Sequence, residues 1–111
     1  MRMQIANLLS GIPASLPEEL VDELLSGRGF RLERIVSKGH GSPDGFWYDQ
    51  AEHEWVILLQ GEARLELDGH PELIHLSAGM AVNLPAHLKH RVAWTHPEEE
   101  TVWLALFYST D

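Results

Sequence analysis

With 111 residues, an apolar fraction of 44% and a formal charge of −9, the chain is expected to form one domain around a single core. The acidic balance, with its eight Lys and Arg residues scattered, excludes a nucleic-acid backbone or an anionic membrane as the expected partner, since phosphate binding needs a basic face. The lack of cysteine excludes disulfides, thiolate chemistry and Cys-based zinc sites, and agrees with a reducing cytoplasm as the expected location.

The first residues carry Arg2, but the apolar stretch that follows is broken by Asn7, Ser10 and Pro13, so no secretory signal is expected. A helix is predicted over residues 16–26. Leu16, Leu20, Leu24 and Leu25 recur at helical spacing, with Glu18, Glu19, Asp22 and Glu23 on the other side. Ser15 and Glu18 have the spacing of a capping box, Pro17 is tolerated in a first turn, and Gly27 supplies a stop. Residues 1–29 therefore read as an N-terminal extension containing a short helix.

From Phe30 the pattern turns to short β-type runs. Strands are predicted over residues 30–37, 53–60, 63–67, 72–76, 80–84, 89–95 and 101–108. Leu65 and Leu67 alternate with Arg64 and Glu66, and Asp68-Gly69 is a strong hairpin signal. Turn residues separate the runs at 39–45, Gly61, 77–79, 85–87 and 96–100. Val102 to Tyr108 is the longest apolar run and is too short to span a bilayer. Roughly seven or eight short strands point to a single all-β domain, a sandwich or a small barrel over residues 30–108.

Two segments carry the chemistry. The first contains Gly45, Tyr48, Gln50, Glu54 and Gly61; the second contains Gly79, Pro85, His87 and His90. Successive side chains on a strand point to opposite faces, so Tyr48, Gln50 and Glu54 share a face with Val56 and Leu58. A carboxylate followed by Val and Leu on one face is costly to bury unless it is paired, hydrogen-bonded or metal-bound. That cost marks Glu54 as the centre of a site.

The two segments resemble the paired signature of the cupin superfamily, and within it the small single-domain bacterial cupins of the conserved-barrel type, a group without a settled activity. Glu54, Gly61, Pro85 and His90 stand in register with that signature, whereas Tyr48 and Gln50 stand where it has two histidines. The resemblance covers about half of the strand-rich region. It implies a jelly-roll β-barrel with its site inside and His90 brought across from Glu54. It also implies a homodimer.

The implied metal ligands are Gln50, Glu54 and His90, with His87 as a fourth ligand or an acid–base group at the barrel mouth. His87 occupies a position that is Gly in the family, and its simpler reading is a loop histidine capping backbone groups. Oxygen and imidazole donors of this kind suit a divalent metal ion such as Mn, Fe, Ni, Co or Zn. No organic cofactor is expected. Tyr48, Val56 and Arg34 are the expected pocket residues, although Arg34 beside Glu33 also reads as a surface salt bridge. Tyr48, with an ordinary pKa near ~10, would ligate only if a metal lowered it.

Two classes of function follow. One is a metal-dependent oxygenase, isomerase or decarboxylase acting on a small organic molecule inside the barrel. The other is a non-catalytic binding or sensor module in which Tyr48 and Gln50 read a small molecule by hydrogen bonds. A structural partner protein with a collapsed site is the third and weakest reading.

Overall fold

The computed structural model describes residues 3–110. Eight strands run in chain order: β1 (Leu20–Gly27), β2 (Phe30–Ser37), β3 (His53–Gln60), β4 (Glu62–Leu67), β5 (Ile74–Ser77), β6 (Ala81–Leu84), β7 (His90–Thr95) and β8 (Thr101–Tyr108). They form a five-stranded antiparallel sheet in the order β1-β2-β8-β3-β6 and a three-stranded sheet in the order β5-β4-β7. The two sheets close on each other as a jelly-roll barrel.

The helix predicted over residues 16–26 does not form; β1 occupies most of that stretch. The reason lies in the spacing itself. Residues four apart share a face of a helix, but four is also even, so they share a face of a strand as well. Burial in β1 follows the period of two: Leu20, Asp22 and Leu24 are half-buried, while Val21, Glu23 and Leu25 are exposed. Pairing with β2 in register from Leu20↔Val36 to Gly27↔Phe30 satisfies the backbone and decides for the strand. The short connection holds Gly29 at φ +79°, a conformation that glycine adopts without a steric cost. The barrel sheet thus begins at Leu20 rather than at Phe30.

The core lies between the inner faces of the sheets. Val56 and Leu58 of β3, Ala63 and Leu65 of β4, Leu76 of β5, and Trp103, Ala105 and Phe107 of β8 pack as one cluster. Burying each large side chain of this kind stabilises by about 1.5–3 kcal/mol. β8 alternates Trp103, Ala105 and Phe107 inward with half-buried Leu104, Leu106 and Tyr108 outward. Toward one end the packing gives way to a cavity. Leu58, Ala63 and Leu76 of this cluster do not border the cavity, whereas Val56, Leu65, Trp103 and Phe107 do.

Candidate functional site

A cavity of about 240 Å³ opens between the sheets beyond the core. Its inner wall is largely apolar and includes Ile35, Val56, Leu65, Val92, Trp103 and Phe107. Glu54 and His90 project into this setting, 9% and 6% exposed. Glu54 comes from β3, where it pairs with Phe107 of β8 on one side and Leu84 of β6 on the other. His90 opens β7 in the other sheet and is tied to Tyr48 through two main-chain hydrogen bonds of 2.7 and 3.1 Å. The cavity residues therefore come from both sheets, and the Tyr48 bridge sets their relative position.

The central pair is His90 Nε2 and Glu54 Oε1, 3.5 Å apart. His90 Nδ1–H donates to the Leu88 carbonyl at 2.9 Å, because a carbonyl can only accept; this leaves Nε2 to face Glu54. Burial pulls the His90 pKa down, but contact with the Glu54 carboxylate, the Leu88 carbonyl and the Glu54 charge outweigh it and raise it above 6.5. Gln50 Nε2–H donates to Glu54 Oε1 at 3.4 Å, a long contact that leaves the carboxylate free to take a second partner. The Tyr48 ring stacks on His90 with centroids 5.4 Å apart. Burial, followed by the charges of Glu19 and Glu54, pushes the Tyr48 phenol above its ordinary 10, so it faces the cavity as a neutral hydroxyl.

Gln50, Glu54, His90, Tyr48 and Val56 thus line one cavity. His87 and Arg34 do not. His87 Nδ1 meets Asp49 Oδ1 at 2.9 Å, with the His87 side chain 69% exposed, away from the pair it was expected to join. Its role is in the backbone: at φ +64° its N–H donates to the Gln50 carbonyl at 2.7 Å and fixes the segment that carries Gln50. The left-handed conformation explains why glycine stands at this position in the signature. Arg34 lies on the other face of β2, held by Asp22 at 2.6 Å and by the carbonyls of Leu8 and Ser10. The parity of β2 decides this: Arg31, Glu33 and Ile35 point inward, so Arg34 points outward.

The sequence reading missed Glu19, Arg31, Glu33 and Trp103, which also line the cavity. Arg31 and Glu33 share the parity of Ile35, a signal present in the sequence. Glu19 gave none, because its place depends on β1 being a strand. His53, next to Glu54 on β3 and so on the opposite face, accepts the Ala86 N–H at 3.0 Å outside the cavity.

The donor set bears directly on a metal. Among the described residues, no group of three or more His, Cys, Asp or Glu side chains is placed to hold an ion. Of the expected ligands, the Glu54 carboxylate and the His90 imidazole stand together, Gln50 turns its amide N–H to Glu54 and keeps only a neutral amide oxygen to offer, Tyr48 is a protonated phenol, and His87 lies elsewhere. Catalytic metal sites draw three strong protein ligands as a rule. With two strong ligands, this donor set falls short of that number.

Two antiparallel sheets closed around a cavity that holds a polar pair define a jelly-roll barrel with an interior site. The Cupin domain family profile matches residues 34–107, and the chain belongs to that family, whose members often bind metals. A solved protein from Ralstonia eutropha JMP134, provisionally named a mannose-6-phosphate isomerase, is similar at 40% identity, with 97% of this chain and 100% of that one covered and a TM-score of 0.94. A cupin superfamily protein from Desulfitobacterium hafniense DCB-2 shares the fold at 18% identity, covering 97% and 93%, with a TM-score of 0.76. A conserved Streptococcus pyogenes protein of unknown function does so at 15% identity, covering 100% and 91%, with a TM-score of 0.77. No curated protein matches this chain.

Proposed function

We propose that this protein binds a small organic molecule inside the barrel and that Glu54 and His90 exchange protons with it. One observation carries the proposal: a carboxylate and an imidazole, each about nine-tenths buried, meet at 3.5 Å beside an apolar cavity of about 240 Å³. Polar groups buried beside open space are stable when a ligand or water completes their hydrogen bonds. With Nδ1–H held by Leu88 and Nε2 facing a carboxylate, His90 is set up as a proton donor. Glu54 is the matching acceptor. A hydroxy carbonyl compound placed at the pair would lose the C–H proton beside its carbonyl to the Glu54 carboxylate while its carbonyl oxygen takes the His90 Nε2 proton; return of the Glu54 proton to the neighbouring carbon, with the other hydroxyl giving its proton back to His90, completes an isomerisation. The provisional name of the Ralstonia protein supports the same reaction class. A binding module without turnover uses the same contacts and differs only in lacking the proton transfer.

Expression without added metal tests the metal-free form of this reading. Elemental analysis is expected to give well below one equivalent per chain, with ligand binding intact. A stoichiometric metal that disappears in His90→Ala would overturn it and restore the metal-dependent reading.

The homodimer belongs to the proposal as well. Trp55, Leu25 and Phe30 leave apolar surface exposed on the five-stranded sheet and its β1 edge, surface of the kind that association covers. Trp103 is core, and Trp47 and Trp94 are half-buried, so Trp55 is the one tryptophan available for such a surface among the four. Sedimentation at twice the chain mass is expected; a monomer at micromolar concentration would refute it. Among the described residues no helix is long and apolar enough to cross a membrane. The expected cytoplasmic location is part of this proposal and rests on composition alone.

A further inference from the structure

The charges around the cavity are unequal. Glu19, Glu33 and Glu54 lie in its wall, and Glu52 stands behind Arg31, so four carboxylates face two basic side chains, Arg31 and His90. Both basic groups have acidic partners. Arg31 Nη1 lies 2.6 Å from each Glu52 oxygen, its Nε lies 3.2 Å from Glu33, and its guanidinium sits 4.1 Å above the Phe107 ring. His90 is matched by Glu54.

Among the described residues, no cation stands in contact with Glu19. Its carboxylate accepts the Ser37 hydroxyl, which in turn accepts the Trp103 indole N–H at 3.1 Å. That chain orients the carboxylate without neutralising it. Glu19, Tyr48 and Val92 also line a second hollow of about 270 Å³ with Pro17, Glu18 and His40, so Glu19 stands where the two spaces adjoin. The edge-on contact of Phe46 with Tyr48, centroids 4.9 Å apart, adds aromatic surface at the same place.

We infer that the barrel takes a small organic cation, an amine whose ammonium meets Glu19 beside the Tyr48 ring while its carbon skeleton enters the apolar cavity. This rests on the barrel-ligand reading above and names its ligand class. An ammonium satisfies Glu19 by charge and hydrogen bond. A phosphate or carboxylate would meet four carboxylates and no free cation. A phosphorylated sugar, the class named for the Ralstonia relative, is therefore the wrong ligand for this wall.

Benzylamine, benzyl alcohol, benzoate and mannose 6-phosphate, titrated against the full chain, test the inference. Calorimetry gives affinity, and the Trp103 indole N–H resonance, identified with Trp103→Phe, reports occupancy of the cavity. Benzylamine is expected to bind about ten-fold more tightly than benzyl alcohol, the size of one partly screened charge contact. Benzoate and mannose 6-phosphate should bind more weakly than the alcohol. Glu19→Gln, which keeps the Ser37 hydrogen bond, should bring the amine down to the alcohol while leaving the alcohol unchanged. Mannose 6-phosphate or benzoate binding as tightly as the amine would overturn the inference, as would an amine advantage that survives in Glu19→Gln. If the alcohol and the amine bind equally and both move the Trp103 resonance, the cation inference falls and the barrel-ligand reading stands. If no probe moves that resonance, the barrel-ligand reading falls and the inference falls with it.

Discussion

Replacement of His90 by Ala is expected to lower stability by about 3 kcal/mol near neutral pH, at the low end of what removing one partner of a buried ion pair costs. The substitution leaves the Glu54 carboxylate nine-tenths buried with only the Gln50 amide nearby, at 3.4 Å. Glu54→Gln should cost less, about 1 kcal/mol, because His90 can then lose its proton and the new amide keeps polar atoms beside Gln50. Both variants should abolish ligand binding in the barrel.

The same pair sets a pH dependence. Because the folded-state pKa of His90 is raised above 6.5, the native protein holds that proton more tightly than the unfolded chain does. The stabilisation is complete below 6.5 and is lost as pH rises through the higher folded value. Urea unfolding across this range should show a fall in stability on the alkaline side of 6.5 in the natural chain. The fall should vanish in Glu54→Gln. A step of equal size in that variant would remove the pair as its source.

Gly61→Ala is the second substitution with a large expected effect. Gly61 links β3 to β4 at φ +91°, and a Cβ built there would lie 2.4 Å from Thr101 Oγ1, 2.6 Å from Thr101 Cα and 2.8 Å from the Glu100 carbonyl. Two of those atoms are backbone and cannot rotate away. The left-handed conformation alone costs an L-residue about 1–2 kcal/mol, and the clash brings the expected loss to about 4 kcal/mol. Thr101 Oγ1–H also donates to the Glu62 carbonyl at 3.1 Å, so displacing it loosens the β3–β4 corner further. Gly69→Ala is the control. Gly69 has φ +79° but nothing within 4 Å of its virtual Cβ, so the cost should stay near 1 kcal/mol. Equal losses at the two positions would show that close approach is not what requires glycine at 61.

Those two sites also mark how far the sequence could be read. Gly61 was visible as the closing glycine of a signature, and the structure supplies its cause, contact with the β8 end at Thr101. Glu54 was legible from physics, since an inward carboxylate ahead of Val56 and Leu58 needs a partner. The partner was legible from the resemblance alone. His90 lies thirty-six positions further along, and no periodicity links it to Glu54.

The strands were read well because alternation is local. β2, β3 and β8 occupy the predicted spans, and the shorter strands differ at their ends by one or two residues. The N-terminal error has the opposite origin. A leucine spacing of four fits both periods, and the acidic residues after Ser15 imitate a helix start, so only pairing with β2 could choose.

The sequence by itself determined the all-β class of residues 30–108, the strand spans there and the face that carries Tyr48, Gln50, Glu54 and Val56, because each follows from chemistry within a few residues of chain. Tertiary structure alone decided that β1 is a strand and that His87 and Arg34 stand outside the cavity. It also decided that Glu19 joins Arg31 and Glu33, whose shared parity was local, in the cavity wall. Each of those outcomes depends on contacts between residues far apart in the chain, where a backbone turn at His87 or the parity of β2 outweighs the chemical suitability of a side chain.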